Sequence, residues 1–319
     1  MEFSISPYGG NSPMRPWPSL GGKAFCLKYS SRPGETLFFY DSISSKSSRS
    51  SPKGVIVLVH GLGDEADSWR HVIPLLNSGG YRALAPDLPG FGRSVTPGRV
   101  SLKYHADAVL RLVKAVQKQN DDADGPVFLA GNSLGALVAE AAVFKKPDMF
   151  RGLILIDGSI PGGPSNPGPL ALAKLLLCRK WYRAYRNDPP RAWASLYPYY
   201  AELNKMPEAD KEFLKERVMA RVKSPTQEKA FFQTQRSIIW AYLTASSSFA
   251  KKTRNYPGKI LLLWGDKDRI IPFSSAGKFK ALHSGVELKT IPGAGHLPQQ
   301  EKPEETSSLI ADFAAGFSK

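Results

Sequence analysis

One short stretch near the middle of the chain constrains the fold more than any other. Residues 127–130 are apolar, residues 131–135 read Gly-Asn-Ser-Leu-Gly, and an alanine-rich helical pattern follows. A strand, a sharp turn and a helix in this order predict a nucleophile elbow, in which Ser133 has a strained backbone and an exposed hydroxyl. Gly131 and Gly135 are small enough to let the strand and the helix approach closely. The pentapeptide alone also occurs in ordinary turns, so the flanking strand and helix are what favour the elbow.

Other apolar runs along the chain are separated by helical patterns. Residues 55–59 form a β-branched run that is typical of a strand buried on both faces of a parallel sheet. Further strands are predicted at residues 24–29, 36–40, 82–85, 153–156 and 260–264, and helices at residues 67–76 and 102–119. The two earliest strands flank a Pro-Gly turn and are predicted to pair as a hairpin. Strands that alternate with helices predict an α/β fold, with a mostly parallel sheet and helices on both faces.

A long helical interruption divides this pattern. About a hundred residues ahead of the last predicted strand carry no strand signal and are rich in Trp, Tyr, Lys and Arg. We predict a helical cap at residues 159–249, inserted before the last core strands of an α/β core made of residues 21–158 and 250–319. Residues 1–20 are expected to be a flexible N-terminal arm, and residues 42–53, nearly all Ser or basic, a flexible connection.

The charge of the chain is high and unevenly placed. Its 319 residues have a formal net charge of +15, of which residues 159–249 contribute seven, whereas residues 54–158 are neutral. Such an excess usually marks a solvated surface. The alternatives are an anionic substrate and a peripheral contact with an anionic membrane surface. Because no recognisable nucleic-acid-binding motif accompanies the charge, we expect no nucleic-acid partner.

The cysteines and the N-terminal residues indicate the cellular compartment in which the protein is expected. Cys26 and Cys178 are the two cysteines, and their unrelated contexts favour a reducing, cytoplasmic location over a disulfide framework. Residues 1–20 lack a secretory hydrophobic region, with a transit peptide as the alternative, and no run is long enough to span a bilayer. The chain has no Cys/His spacing of the metal-binding type, and we expect no metal or other cofactor.

Two later segments supply the groups that a serine nucleophile needs. A serine hydroxyl is a poor nucleophile at neutral pH, so it requires a base to take its proton and a carboxylate to orient that base. Asp268 follows a buried run in the sequence Trp-Gly-Asp-Lys-Asp, and His296 stands in a later glycine-rich loop. The order Ser133, Asp268, His296 is the one expected for an elbow that joins a strand to a helix.

These motifs together resemble the α/β-hydrolase superfamily, specifically its capped serine esterase and lipase-like branch. The resemblance covers the chain from about Phe25 to Phe317. It rests on four motifs: His-Gly-Leu-Gly at residues 60–63, Pro-Asp-Leu-Pro-Gly-Phe-Gly-Arg-Ser at residues 86–94, Gly-Asn-Ser-Leu-Gly at residues 131–135, and the loops that carry Asp268 and His296.

The resemblance implies a role for each site residue. Ser133 would attack a substrate carbonyl, His296 would act as general base and then as general acid, and Asp268 would orient His296. The backbone N–H groups of Leu62 and Leu134 would form the oxyanion hole.

Two other aspartates are alternatives to Asp268 as the carboxylate that orients His296. In similar proteins the acid lies three residues after the glycine, which favours Asp268 over Asp266. Some relatives instead place it at the position of Asp157, the residue that ends a core strand.

The remaining histidines and Asp87 are interpreted as structural residues. His60 is expected to support the oxyanion loop by hydrogen bonding, His105 to lie on a helix against the core, His71 and His283 to be surface or packing residues, and Asp87 to cap its own loop.

The identity of the nucleophile narrows the chemistry. Similar proteins that dehalogenate or open epoxides use aspartate at the elbow, so Ser133 argues against both reactions. We expect hydrolysis of a carboxylic ester, a lactone or a thioester through an acyl-enzyme on Ser133. The alternatives are hydrolysis of a carbon–carbon bond in a diketo acid, a ligand receptor on the same fold, and a lipid hydrolase at anionic membranes. The expected partner is a small-molecule ester or acyl substrate, and the expected assembly is a monomer or a homodimer.

Overall fold

A nine-stranded sheet organises the described part of the chain. The computed structural model describes residues 2–10, 12–43, 51–119, 125–158, 179–180 and 182–317. The strands are β1 (Phe3–Pro7), β2 (Ala24–Tyr29), β3 (Thr36–Asp41), β4 (Val55–Val59), β5 (Arg82–Pro86), β6 (Val127–Asn132), β7 (Gly152–Ile156), β8 (Lys259–Gly265) and β9 (Val286–Ile291). Their order across the sheet is β1-β2-β3-β5-β4-β6-β7-β8-β9.

The sheet is mostly parallel. β4 pairs in parallel with β5 and β6, and β6, β7, β8 and β9 continue the parallel series. The strands β1, β2 and β3 form an antiparallel extension at one edge, where β3 joins β5. The predicted fold class and the predicted hairpin of β2 and β3 are thus confirmed.

Helices cover both faces of this sheet. Their bounds are α1 (Val72–Ser78), α2 (Leu102–Gln119), α3 (Leu134–Lys145), α4 (Pro189–Ala194), α5 (Glu208–Lys223), α6 (Pro225–Arg254), α7 (Ser274–Lys280), α8 (Pro298–Glu301) and α9 (Pro303–Ala315). No helix among the described residues is both long enough and apolar enough to cross a membrane.

Every residue of β4 is buried, because its two sets of side chains enter two separate cores. Val55, Val57 and Val59 pack with residues of α2 and α3 on one face. Ile56 and Leu58 pack with residues of α1 and α9 on the other. Successive side chains of a strand point to opposite faces, so a continuous apolar run is what a sheet with two covered faces requires.

The expectation of a flexible N-terminal arm was wrong for part of residues 1–20. Residues 3–7 form β1, which pairs along its whole length with β2. Phe3 and Ile5 are its half-buried positions, and its other three residues are exposed. This alternation predicts an edge strand, and Pro7 is tolerated because it ends that strand. Leu20 is also buried in the core.

Two other element predictions need correction, one strand was not predicted, and one prediction can be compared only in part. Residues 67–76 do not form one helix: a 3₁₀ turn at Ala66–Trp69 precedes α1. The sequence analysis missed β9, because its exposed Glu287 and Lys289 interrupt the apolar pattern. Helix α6 runs to Arg254, five residues beyond the predicted cap boundary at 249. In the predicted flexible connection, residues 44–50 lie outside the described residues.

Buried ion pairs join the insertion between β7 and β8 to the segment of the core that follows β4. Arg70 of the core lies 2.6 Å from Asp210 of α5, and both side chains are nearly inaccessible to solvent. Arg221, near the end of α5, lies 3.3 Å from the buried Glu65, which follows β4. Because breaking one partner of a buried pair leaves an uncompensated charge, these contacts fix where α5 sits. Part of the predicted cap, residues 159–178 and Trp181, lies outside the described residues.

Asp87 organises the loop that follows β5, as predicted. The Asp87 carboxylate accepts hydrogen bonds from the Ala66 N–H at 2.7 Å and from the Arg93 N–H at 2.7 Å, and it also bonds the Arg93 guanidinium. Burial alone would raise the pKa of Asp87, but Arg93 and these hydrogen bonds hold it below the usual value.

A close approach of three backbones positions the elbow. A Cβ atom added at Gly131 of β6 would lie 2.1 Å from the carbonyl oxygen of Gly135 in α3. A Cβ atom added at Gly135 would lie 2.1 Å from the carbonyl oxygen of Val59 in β4. No side chain fits at either position, and no flexible atom could move aside to make room.

We expect Gly135→Ala to destabilise the protein by about 2 kcal/mol or more, since β4 and α3 must separate. The matched control is Gly277→Ala in α7, where an added Cβ meets nothing within 4 Å. That control should be neutral or slightly stabilising, because Ala favours helix. Urea unfolding of both variants measures the difference. Equal stabilities would contradict the close approach.

Candidate active site

Ser133 stands between β6 and α3 in a strained conformation. β6 ends at Asn132, α3 begins at Leu134, and Ser133 has φ 55° and ψ −116°. A positive φ in a residue other than Gly costs on the order of 1–3 kcal/mol and persists only when the surroundings enforce it. The glycine contacts described above enforce it here. Asn132 and Leu134 are buried, whereas Ser133 is partly exposed and lines a cavity.

Two backbone segments with amide donors border the Ser133 side chain. Leu134 is the first residue of α3, and the first N–H groups of a helix have no partner within it. Gly61, Leu62 and Gly63 line the same cavity, and a Cβ atom added at Gly61 would lie 3.5 Å from the Ser133 Cβ. The loop after β4 therefore lies beside Ser133, where the predicted oxyanion donors Leu62 and Leu134 are needed.

His60 holds that loop through both of its ring nitrogens. Nε2 accepts a hydrogen bond from the Leu88 N–H at 2.8 Å, so Nδ1 carries the proton and donates to the Gly61 carbonyl at 2.8 Å. Complete burial lowers the pKa of His60, which keeps the ring neutral. The supporting role expected for His60 agrees with these contacts.

The structure brings Asp268 and His296 together. Nδ1 of His296 lies 2.8 Å from Oδ2 of Asp268, and both side chains are almost completely buried. The other Asp268 oxygen, Oδ1, accepts hydrogen bonds from the N–H groups of Ile270 at 2.7 Å and Ile271 at 3.0 Å. The carboxylate is therefore fixed from one side and can orient the imidazole from the other. Ser133 and His296 line the same cavity.

Neither rival carboxylate contacts the His296 ring. Asp266 accepts a hydrogen bond from the Gly293 N–H at 2.7 Å and shapes the loop ahead of His296. Asp157 is completely buried at the end of β7 and accepts a hydrogen bond from the Gly265 N–H at 2.9 Å. The hydrogen-bond geometry thus favours Asp268 as the partner of His296.

The backbone of His296 is held from two sides. Its N–H donates to the carbonyl of Tyr199 at 2.8 Å, and its carbonyl accepts a hydrogen bond from Asn132 Nδ2 at 3.0 Å. Tyr199 belongs to the insertion between β7 and β8, and Asn132 precedes Ser133 in the elbow. The position of His296 therefore depends on both the elbow and the insertion.

Glu301 adds a second link between the insertion and the histidine loop. Its Oε2 accepts a hydrogen bond from the Gly295 N–H at 2.6 Å, and its Oε1 accepts from the N–H groups of Ala201 at 2.8 Å and Glu202 at 3.2 Å. Sequence analysis missed Glu301, Asn132 and Tyr199. Glu301 and Tyr199 lie outside the quoted motifs, and Asn132 stands at a variable position of its motif; each acts through a contact between segments distant in sequence.

The cavity above Ser133 has a volume of about 460 Å³ and a mostly apolar wall. Aromatic and aliphatic side chains from the insertion form much of that wall: Tyr182, Tyr185, Leu196, Tyr199, Leu214, Val218, Val222 and Phe231. Polar side chains that reach it include Gln235, Gln300 and Arg221. A concave, largely apolar site with a few placed polar groups is typical of a small-molecule pocket.

Arg221 is the one cation among the described residues that line this cavity, and its charge is compensated. Its guanidinium lies 3.3 Å from Glu65 and 3.7 Å from Asp64. Burial raises the pKa of Glu65 to about 7, although the Arg221 charge opposes that shift. When Glu65 is ionised, its charge opposes that of Arg221, so the Arg221 guanidinium is not free to attract an anion.

The other histidines lie away from the Ser133 side chain. His105, on α2, is fully buried and pairs with Thr234 through Nε2 at 2.9 Å, and burial lowers its pKa to about 3. His71 contacts Asp210 at 2.8 Å, and His283 Nε2 donates a hydrogen bond to the Tyr256 carbonyl oxygen at 2.8 Å. These contacts agree with the packing roles expected for them. Among the described residues, no three His, Cys, Asp or Glu side chains are grouped so that they could hold a metal ion.

Known proteins with similar sequences are hydrolases. The chain is 27% identical over 260 residues to an uncharacterised hydrolase, YugF, of Bacillus subtilis, covering 81% of this chain and 89% of that protein. It is 24% identical over 266 residues to a 2-hydroxy-6-oxononadienedioate/2-hydroxy-6-oxononatrienedioate hydrolase of Pseudomonas putida, covering 82% and 88%.

A solved structure and a family model agree with the fold. A thermophilic esterase from Thermogutta terrifontis superposes with a TM-score of 0.68 at 23% sequence identity, covering 88% of this chain and 94% of the esterase. The model of the alpha/beta hydrolase family matches residues 56–309, which include the elbow and both the Asp268 and His296 loops. The chain belongs to the α/β-hydrolase family.

Proposed function

We propose that this α/β-hydrolase is a serine hydrolase that cleaves a carboxylic ester, or a lactone or thioester, through an acyl-enzyme on Ser133. The observation that carries the proposal is the 2.8 Å contact between His296 and Asp268 beside a cavity that Ser133 lines from a strained elbow. A histidine oriented by a buried carboxylate can take a proton from a neighbouring hydroxyl.

The proposed reaction has two acyl-transfer steps. In the first, Ser133 Oγ attacks the substrate carbonyl while His296 Nε2 takes its proton, and the negative charge on the carbonyl oxygen is stabilised by the N–H groups of Leu62 and Leu134. His296 then gives the proton to the departing alkoxide or thiolate, and the acyl group remains on Ser133. In the second step, His296 takes a proton from water, the hydroxide attacks the ester, and the acid leaves as Ser133 regains its proton.

A carbon–carbon bond hydrolase is the second candidate, and the similarity to the Pseudomonas putida enzyme supports it. The name of that relative's substrate denotes a dicarboxylate, and such a substrate requires a cation that is free to bind it. Among the described cavity residues, Arg221 is already opposed by Glu65 and Asp64. The charge of the described wall therefore supports an uncharged ester over a diketo acid.

Labelling with a fluorophosphonate tests the nucleophile. The wild-type chain should be labelled and should hydrolyse members of an ester panel of graded acyl length, whereas Ser133→Ala should do neither. Undiminished labelling of Ser133→Ala would contradict the mechanism. Labelling of the wild type without hydrolysis of any ester would favour the diketo-acid reaction or a ligand receptor. Turnover of a diketo acid would then distinguish the diketo-acid reaction from a receptor.

Asp268→Asn tests the orienting acid. The amide keeps the shape of the carboxylate, but its oxygen is needed to accept from the Ile270 and Ile271 N–H groups, so its NH₂ group faces Nδ1. Nδ1 must then accept a hydrogen bond, and the ring proton moves to Nε2. We expect kcat for the preferred ester to fall by about 10³-fold to 10⁴-fold with little change in KM. Asp266→Asn is the matched control, because its carboxylate bonds the Gly293 N–H and does not contact His296. A larger loss in the Asp266 variant than in the Asp268 variant would exchange their roles.

Selectivity for charge tests the role of Arg221. Two esters of matched size, one uncharged and one with a carboxylate in the acyl group, are compared by their ratio of kcat/KM. As the pH falls through about 7, Glu65 gains a proton and Arg221 loses a counter-charge, so the ratio should shift towards the anionic ester. Effects of pH on His296 cancel in this ratio.

The matched variant is Glu65→Gln, which should favour the anionic ester by about fivefold at pH 8.5, equivalent to about 1 kcal/mol. It should also remove the pH dependence of the ratio. A ratio that stays constant with pH in the wild type would show that Glu65 does not control the charge of the cavity wall.

A further inference from the structure

We propose that Asp157 is a positioning residue: as a neutral carboxylic acid, it donates a hydrogen bond to the Asp268 carboxylate and fixes the acceptor that His296 uses. The proposal rests on the assignment of Asp268 and His296 in the proposed function. It gives the rival carboxylate a different task from the one weighed in the sequence analysis, since Asp157 acts on Asp268 and not on the imidazole.

The sheet brings the two carboxyl groups together. β7 and β8 are parallel neighbours, and Asp157, the residue that follows β7, stays hydrogen-bonded to β8. The Asp157 N–H donates to the Leu263 carbonyl at 3.0 Å, and the Gly265 N–H donates to Asp157 Oδ1 at 2.9 Å. Asp268 begins its turn from the same glycine, because its N–H donates to the Gly265 carbonyl at 3.2 Å. The Asp157 side chain is thus directed at the turn that carries Asp268, and the Asp268 carboxylate is close enough to act on it electrostatically.

A shared proton would satisfy both of these groups. Asp157 Oδ1 already accepts from Gly265, and with both carboxyl groups ionised its Oδ2 would be buried without a hydrogen-bond partner. Asp268 bonds His296 and two backbone N–H groups, which only a carboxylate can accept in this way. Ionised oxygens accept but do not donate, so a proton on Asp157 Oδ2 satisfies both groups.

The charges around Asp157 favour that proton. The groups that act on it are Asp268 in the turn after β8, Glu301 in α8 and the Gly265 N–H. Burial first, and then the negative charge of Asp268, raise the pKa of Asp157 well above its usual value. Within the described ranges, no arginine or lysine forms a hydrogen bond or an ion pair with Asp157 that would offset this. Two adjacent buried carboxyl groups carry one negative charge between them. The hydrogen bond from His296 favours that charge on Asp268.

The backbone of Asp157 has a conformation that is uncommon for a residue other than Gly. Asp157 has φ 47° and is, with Ser133, one of two residues other than Gly that have a positive φ within the described part of the chain. Such a conformation costs on the order of 1–3 kcal/mol. Asp157 is absent from the cavity wall, so its carboxyl group does not bind substrate directly. A role for Asp157 in holding Asp268 in place, away from the substrate, agrees with its positive φ and with its absence from the cavity wall.

The test uses Asp157→Asn and Asp157→Gly in the full chain. Asn tolerates a positive φ, can accept from the Gly265 N–H and can donate to Asp268, so it is the conservative rescue. Gly also tolerates the backbone but removes both hydrogen bonds. The readout is the pH dependence of the rate at which a fluorophosphonate labels Ser133, resolved into the maximal rate and the half-saturating concentration.

Asp157→Asn should retain the labelling rate and the apparent pKa of its acid limb, because no charge is lost. Asp157→Gly should lower the maximal rate by about tenfold, with the half-saturating concentration unchanged, since a misplaced triad slows the reaction but not binding. It should also raise the apparent pKa of the acid limb, because a carboxylate that loses a donor attracts the imidazolium proton more strongly.

Two results would overturn the proposal. A fall of about one unit in the apparent pKa of the acid limb of Asp157→Asn would show that the wild-type residue is a charged carboxylate near His296. Wild-type behaviour of Asp157→Gly would show that nothing depends on the contact. If the Gly variant does not fold, difference infrared spectroscopy of the folded Asn variant at neutral pH decides: the carboxylic-acid C=O band of Asp157 should disappear, and its absence from the wild type contradicts the proposal.

This failure can be separated from failure of the proposed function. If the wild type is not labelled at Ser133 at any pH, the assignment of the nucleophile is at fault. If the wild type is labelled but the Asp157 variants give either of the two results that overturn the proposal, only the assignment of Asp157 is wrong.

Discussion

The contact of Gly135 with the backbone of β4 and with Gly131 is the constraint on which the site depends. Because three main chains meet there with no room for a Cβ atom, the chain between Gly131 and Gly135 has one sharp route, and Ser133 lies at its corner with a positive φ. The strain is offset by the two hydrophobic cores on either face of the sheet. The elbow thus exposes a hydroxyl while its neighbours stay buried, and it places the start of α3 beneath that hydroxyl.

The insertion between β7 and β8 contributes to the site as well as covering it. The Tyr199 carbonyl bonds the His296 N–H, and Glu301 joins the histidine loop to the chain at Ala201. Buried ion pairs from α5 to the segment after β4 hold the insertion against the core. The same helix supplies Arg221 to the cavity wall, and the segment after β4 supplies its counter-charges, Asp64 and Glu65. Substrate choice and the alignment of His296 are therefore coupled through one set of contacts, so changes in α5 are expected to affect both.

Sequence patterns predicted the central fold because it follows from local rules. A β-branched run such as residues 55–59 must be buried on both sides, and α2 was predicted over the range that it occupies because its apolar positions follow one stripe. β9 was not predicted because its outer positions are charged. β1 was not predicted because prolines follow it. In the site, motif spacing indicated Ser133, Asp268 and His296. It could not show Glu301 beneath the histidine loop or the pairing of Asp157 with Asp268, since both depend on contacts between distant segments.

The central claim is that the Ser133 hydroxyl, the His296–Asp268 pair and the amides of Leu62 and Leu134 surround one reacting atom. A crystal structure of the fluorophosphonate adduct measures this most directly. Phosphorus should be bonded to Ser133 Oγ, with the phosphoryl oxygen within hydrogen-bonding distance of both amides and His296 Nε2 facing Oγ. A phosphoryl oxygen turned away from both amides, or a His296 ring out of reach of Oγ, would contradict it.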